Sequence, residues 1–362
     1  MAGRTPEWTR ALVLRQCSAE AKPVYHDTVL ENRPLPQLKH EEVLVKINAA
    51  SFNRRDLWIR LGQYPGIKFG SVIGADGAGT VLASPDANDV LLNKRVFLAP
   101  TCGWESHPDA PEASESETDL YNPSFGTFAD YVIVKRSQVI RSPDHLDDVQ
   151  ISARPIGGLA AWRVTIVKAR VSKDQNILIT GIGGGVALLA MQLCLAKGAN
   201  VYVTSSSKEK ISRATSLGAK GGVNYKSKDW PSRLAALLAK ICGKPTKIDT
   251  VIDSGGSDIM TQVNSILKHG GKVVVYGMTA NPRIKFTMRE VLKNQQLIGS
   301  TMGSLKDLTD ATQFLSEHRI VPVVSHVLDG LEAADEGFEL LKRGDQFGKF
   351  VLKIDNNASA KL

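Results

Sequence analysis

The chain has 362 residues, 45 lysines and arginines against 37 aspartates and glutamates, a formal net charge of +8 at pH 7, and 43% hydrophobic residues. That length has room for two hydrophobic cores, and no run approaches the roughly 20 apolar residues of a membrane-spanning helix. The basic residues are scattered singly or in short clusters such as Lys208 and Lys210, which argues against a nucleic-acid surface and for a solvated one.

Residues 1–151 read as short strands broken by turns, among them 42–47, 79–82, 95–99 and 128–134, forming a β-rich, partly closed domain. Within it, residues 101–125 carry Glu105, Asp109, Glu112, Glu115, Glu117 and Asp119 with no lysine or arginine, the pattern of a solvated loop. From 152 to 319 strands alternate with helices. Strand candidates around Ile177 and Val201 and at 222–225, 250–253, 272–276 and 296–299 predict a doubly wound parallel sheet. Residues 320–362 return to strand signals at 321–328 and 347–354 around one helix at 332–341, and are expected to rejoin the first domain. The fold class is therefore α/β. Cys17, Cys102, Cys194 and Cys242 form no C-x-x-C pair, so neither a disulfide framework nor a cysteine-based zinc site is expected. The ending Ala360-Lys361-Leu362 is one conservative step from the S-K-L address read by the peroxisomal import receptor, which makes the peroxisome the expected compartment and the cytoplasm its alternative.

The segment 176–187, NILITGIGGGVA, turns an apolar strand into an apolar helix through a glycine corner. Gly181, Gly183, Gly184 and Gly185 allow a tight turn and present bare N–H groups at a helix N-terminus, with Val186 in its first turn, an arrangement that accepts a pyrophosphate. In such a fold a carboxylate at the tip of the next strand binds a ribose 2′-OH and repels a 2′-phosphate. Here the tip reads VTSSSKEK, from Val203 to Lys210, with hydroxyls at Ser205, Ser206 and Ser207 and no acid before Glu209. Hydroxyls and ammonium groups suit a phosphate dianion, so NADPH is the expected cofactor. Ser207 also reads as an ordinary helix N-cap.

SFNRRDLWIRLGQYPG (51–66), VIGADGAGTV (72–81), GTFADYVIV (126–134), TGIGGGVALLAMQL (180–193) and SLGAKGGVNYK (216–226) together resemble the medium-chain dehydrogenase/reductase superfamily, and within it the zinc-free quinone and enone oxidoreductase branch. The resemblance spans nearly the whole chain; Ala187 stands where the family often has the third fingerprint glycine. It implies a GroES-like catalytic domain (1–151) completed by the C-terminal segment (320–362), a Rossmann NADP-binding domain (152–319), and a homodimer paired through residues 296–301.

Zinc members of the superfamily ligate a catalytic metal at positions that here hold Asn53, Ala75 and, nearby, Ile156, and of the structural-zinc cluster only Cys102 remains, with Glu105 and Pro108 at the next places. No metal is therefore expected. Without a Lewis acid, alcohol oxidation loses several kcal/mol of activation, on the order of 10³-fold in rate. Hydride addition to a small electrophile, a quinone or an α,β-unsaturated carbonyl, needs only hydrogen-bond donors for the developing negative oxygen. By family position Asn53 orients the substrate oxygen and Tyr64 donates to it; the residues equally allow Asn53 as a cap over 54–60 and Tyr64 as a prop for the turn 63–66. The resemblance further implies Thr127 as a carboxamide contact, Lys210 and Tyr225 beside the 2′-phosphate, and Gly277 near the nicotinamide. The expected activity is NADPH-dependent reduction of quinones or enones. The alternatives are an enoyl-thioester reductase and a non-enzymatic NADPH-binding protein similar to zeta-crystallin.

Overall fold

The computed structural model describes residues 5–112 and 125–354. The Ala360-Lys361-Leu362 ending and the acids Glu115, Glu117 and Asp119 lie outside the described residues.

The chain opens with an antiparallel pair, β1 (Trp8–Arg15) and β2 (Asp27–Pro34). There follow β3 (Glu42–Ser51), α1 (Arg54–Arg60), β4 (Asp76–Ala83), β5 (Arg95–Leu98), β6 (Tyr131–Lys135), β7 (Val139–Arg141), α2 (Asp148–Ser152) and α3 (Pro155–Trp162). After a π-helical turn at Arg163–Ala169 come β8 (Asn176–Ile179), α4 (Gly185–Ala196), β9 (Asn200–Ser205), α5 (Lys208–Ser216), β10 (Gly221–Asn224), α6 (Trp230–Cys242), β11 (Ile248–Asp253), α7 (Ile259–Val263), β12 (Leu267–Val275), α8 (Met288–Val291) and β13 (Gln296–Gly299). The chain ends with α9 (Leu305–Glu317), β14 (Val324–Asp329), α10 (Ala334–Arg343) and β15 (Lys349–Lys353).

Two units result: residues up to Gly157 with those from Ser304 onward, and Gly158–Gly303. In the first, the strands run β14-β15-β3-β4-β5-β7, with β6 also paired to β3. Val43, Val45 and Ile47 of β3 are fully buried and join Val81, Val96 and Phe128 in its core, while Ala49 of the same strand packs in a second buried cluster with Ala153 and Val351. Antiparallel pairing of β15 with β3 brings Val351, Leu352 and Lys353 beside Ser51, Ala50 and Ala49. In the second unit six parallel strands run β10-β9-β8-β11-β12-β13. Ile177, Leu178 and Ile179 have no exposed surface, since a central parallel strand is covered on both faces. Among the described residues no helix is long and apolar enough to cross a membrane.

Two features differ from the sequence expectation. The unit boundaries fall at Gly157/Gly158 and Gly303/Ser304 rather than at 151/152 and 319/320, because α9 packs with the first unit. The Leu305 and Lys306 N–H groups donate to the carbonyls of Trp104 (2.8 Å) and Glu105 (2.9 Å), and the buried Arg154 guanidinium donates to Thr312 Oγ1 (2.5 Å) and the Leu308 carbonyl (3.2 Å). The described part of the acidic loop is also organised rather than simply solvated. The Glu112 carboxylate accepts the N–H groups of Glu105, Ser106 and His107 at 2.7, 2.7 and 2.6 Å, and against a desolvation penalty these donors hold its carboxyl down to about 2.

Candidate active site

In the second unit the turn from β8 to α4 passes through Gly181 at φ +62 and Gly183 at φ +128, the left-handed region that glycine enters without penalty. Gly184 is the N-cap of α4 and supplies no side chain to cap the first-turn N–H groups of Gly185, Val186 and their neighbours. A Cβ at Gly184 would meet nothing within 4 Å, and one at Gly181 only Ser254 Oγ at 3.6 Å, so open space lies beside an uncapped helix N-terminus. That is the form of an anion cradle. The turn is anchored from below: Thr180 Oγ1 donates to Asp253 Oδ1 (2.5 Å), which ties β8 to β11, and Asp253 also accepts the N–H groups of Gly255 and Gly256 at 3.1 and 2.7 Å. Burial raises the Asp253 carboxyl above its ordinary range, and these three donors oppose the shift.

At the tip of β9 the hydroxyls divide. Thr204 Oγ1 accepts the Gly181 N–H (3.3 Å) and Ser205 Oγ accepts the Ser207 N–H (3.2 Å), so both hold the turn rather than face a ligand. Ser207 Oγ accepts the Lys210 N–H (3.2 Å) and caps α5, as the helix-cap reading anticipates. Ser206 is exposed, Lys210 half-buried and Tyr225 exposed, with the Tyr225 N–H donating to the Ser205 carbonyl at 3.2 Å. Gly277 follows β12, and a Cβ there would meet Ser254 at ordinary van der Waals distance, 3.5 Å from its carbonyl oxygen. The open glycine turn and the uncapped helix fit the pyrophosphate of a dinucleotide.

The first unit holds a buried polar cluster where β3, β4 and β15 meet. Asp76, without exposed surface, accepts at Oδ1 from the Ile156 N–H (2.8 Å) and at Oδ2 from Asn53 Nδ2 (2.9 Å) and Lys349 Nζ (3.0 Å), with Ser51 Oγ at 3.2 Å from the same oxygen. Lys349 Nζ also donates to Asn53 Oδ1 at 2.6 Å. The buried Arg154 adds a further positive charge toward Asp76, and burial pushes its guanidinium down to about 9. Asn53 caps α1, its own N–H donating to Asp56 Oδ2 at 2.8 Å. Asp56 is buried, which raises its carboxyl above the ordinary range while the Arg55 charge at 2.9 Å lowers it.

Asn53 thus stands at the N-cap of α1, as the cap reading expects, and its side chain bonds to Asp76 and Lys349. Tyr64 packs against the core with the Arg55 guanidinium 5.5 Å from its ring centre. Thr127 is fully buried, and its hydroxyl donates to the Asp76 carbonyl at 3.0 Å. Ala75 is likewise fully buried. A cavity of about 90 Å³ lies near α1, lined by apolar Leu14, Ile59, Ile73 and Phe125 and by the cations Arg55 and Lys68.

A divalent metal does not fit this cluster. Its carboxylates are already engaged, Asp76 by four donors and Asp56 by the Asn53 N–H and Arg55, an ammonium that cannot ligate a cation stands within it, and no group of three or more His, Cys, Asp or Glu residues that could hold a metal occurs among the described residues. Lys349 is the member of this polar cluster that the sequence reading misses. Its signal is a lone lysine inside the apolar run from Phe347 to Leu352, on the inward face of a strand.

Residues 39–144 match the family model described as the alcohol dehydrogenase GroES-like domain, and residues 185–317 match zinc-binding dehydrogenase. The zinc-type alcohol dehydrogenase-like protein YogA of Leptosphaeria maculans is 38% identical over 357 residues, 95% of this chain and 99% of that protein. The acryloyl-coenzyme A reductase of Sulfurisphaera tokodaii is 25% identical over 340 residues, 90% of this chain and 96% of that one. A crystal structure of an NAD-dependent alcohol dehydrogenase superposes with a TM-score of 0.78 at 30% identity, covering 96% of this chain and 100% of the other. With both domain models matched in order and relatives aligned end to end, the chain belongs to the medium-chain dehydrogenase/reductase superfamily and is an oxidoreductase of that family.

Proposed function

We propose that the protein is an NADPH-dependent, zinc-independent reductase of α,β-unsaturated carbonyl compounds or quinones. The observation that carries this reading is the Asn53–Asp76–Lys349 cluster: it holds an amide donor, Asn53, at a position where the zinc members that the sequence resembles have a metal ligand. Bound at the glycine turn, NADPH would supply a hydride to the β-carbon of the electrophile. The N–H groups of Gly184, Gly185 and Val186 would hold the pyrophosphate, and Ser206, Lys210 and Tyr225 the 2′-phosphate. The Asn53 amide would donate to the substrate oxygen and stabilise the negative charge that develops there, and a proton from solvent or a nearby hydroxyl would complete the α-carbon.

A second reading, enoyl-thioester reduction, draws support from the likeness to the acryloyl-coenzyme A reductase of Sulfurisphaera tokodaii. We also propose a homodimer through the edge strand β13. Beside it the second unit exposes Phe286, Met288, Val291, Leu292 and Leu297, an apolar group that assembly would cover.

The test is NADPH oxidation by purified protein with 1-octen-3-one, a naphthoquinone and crotonyl-CoA, with NADH in parallel. Turnover of the first two in preference to crotonyl-CoA is expected; preference for crotonyl-CoA selects the thioester reading. Tight NADPH binding without oxidation by any electrophile overturns both and favours a non-enzymatic NADPH-binding protein.

A further inference from the structure

Chemistry alone orients the Asn53 amide. The Lys349 ammonium only donates and the Asp76 carboxylate only accepts, so the Asn53 atom 2.6 Å from Nζ is the oxygen and the atom 2.9 Å from Oδ2 is the nitrogen. An Asn amide held only at its nitrogen could swing about its Cβ–Cγ bond; one clamped at both ends cannot. Asp76 is in turn clamped by the Ile156 N–H, and Lys349 by its place in β15, which pairs with β14 on one side and β3 on the other. Of the two amide N–H groups one serves Asp76. The second has no partner among the described residues, and Asn53 retains 9% exposure and Lys349 7% while Asp76 has none.

We propose that Lys349 is a positioning residue and the internal cation of this site: its ammonium occupies the cluster that would otherwise need a metal's charge, offsets Asp76, and locks the Asn53 amide so that its second N–H is preset for a substrate oxygen. The proposal rests on the reductase reading above. It differs from a purely structural role for the ion pair, in which Lys349 would tie β15 to β3 and β4 and nothing more. Preorganisation of a donor acts on the step in which charge develops, so the effect belongs in kcat rather than in substrate binding.

The variants are Lys349→Met, Lys349→Arg and the charge-neutral double variant Lys349→Met/Asp76→Asn, which keeps the fold testable if the single variant leaves a buried carboxylate uncompensated. Two readouts are taken on the full chain. The first needs no activity: the Asn53 side-chain amide is observed by NMR in asparagine-¹⁵N-labelled, deuterated protein, assigned by its loss in Asn53→Ala. A resolved amide pair with slow hydrogen exchange is expected in the wild type, with exchange at least about 10-fold faster in Lys349→Met and in the double variant, and recovery in Lys349→Arg. The second is steady-state kinetics with the best electrophile. There kcat is expected to fall on the order of 10- to 100-fold in the two lysine-to-methionine variants, with KM and the Kd for NADPH within about 3-fold of wild type. An unchanged Asn53 amide in folded variants overturns the proposal, as does a freed amide with unchanged kcat in an active enzyme. If the wild type turns over no electrophile, the reductase reading fails, and with it the catalytic purpose assigned to Lys349; the amide signal then shows separately whether Lys349 holds Asn53.

Discussion

Replacing Gly184 with alanine separates cofactor binding from folding. The backbone there, at φ −74 and ψ 151, is open to any residue, and the new Cβ meets no atom within 4 Å. Alanine reduces the freedom of the unfolded chain, worth about 0.4–1 kcal/mol in favour of the fold. Its poorer quality as an N-cap works against the fold by a similar amount, up to about 1 kcal/mol. The two nearly cancel, and the melting temperature is expected to move by no more than about 4 °C. A phosphate is affected differently. Its oxygens approach the N–H groups of the cradle to about 2.9 Å, and a methyl group projecting from the same turn keeps them out. Losing one hydrogen bond to a charged group costs about 1.5–3 kcal/mol, on the order of 10- to 100-fold in Kd. Fluorescence titration with NADPH, paired with thermal melting of the same samples, measures both quantities. A Kd within about 2-fold of wild type refutes the placement of the pyrophosphate on this turn. A loss of stability beyond about 2 kcal/mol refutes the claim that the space beside Gly184 is open.

Lys210→Ala combined with Ser206→Asp is expected to weaken NADPH binding by about 10-fold or more while leaving NADH binding unchanged or improved, since an acid at this tip favours a free ribose; equal losses for both cofactors in parallel titrations contradict the assignment. For Glu112 the folded-state carboxyl, at about 2, lies below its ordinary 4.5, so its bonds support the loop fully above about pH 4.5 and fail as the pH falls through about 2. Trp104, buried and donating from Nε1 to the His107 carbonyl at 2.8 Å, reports on that loop. Its emission, with Trp104→Phe as the blank, is expected to shift to the red in Glu112→Ala at pH 6 and in the wild type only near pH 2. Identical spectra for variant and wild type at pH 6 show that Glu112 does not hold the loop. Leu292→Glu, at a position 74% exposed, is expected to convert a dimer into a monomer in analytical ultracentrifugation without lowering the melting temperature measured at high dilution. A wild type that is monomeric at all concentrations removes the proposed interface.

Much of this protein is written in local pattern. The inner strands of the second unit, β8, β9, β11 and the end of β12, are short apolar runs, and burial on both faces selects such runs, whereas the edge strands β10 and β13 are partly exposed. The glycine corner at 181–185 and the missing acid between Val203 and Lys208 are equally local, because a tight turn and a charge at a strand tip depend on few neighbours. Asn53 as the cap of α1 was legible for the same reason.

Tertiary structure decided the rest. It assigned α9 to the first unit, since an amphipathic helix carries no mark of which core it will cover. It turned Thr204, Ser205 and Thr127 inward, because a hydroxyl reads the same in sequence whether it meets a ligand or a backbone group. Above all it brought Lys349 to Asn53 across a separation of 296 residues. Sequence by itself determined where a nucleotide can lie, which one backbone turn can declare; only the pairing of β15 with β3 put an ammonium beside the amide, because a buried charge is explained by its partners and those partners lie elsewhere in the chain.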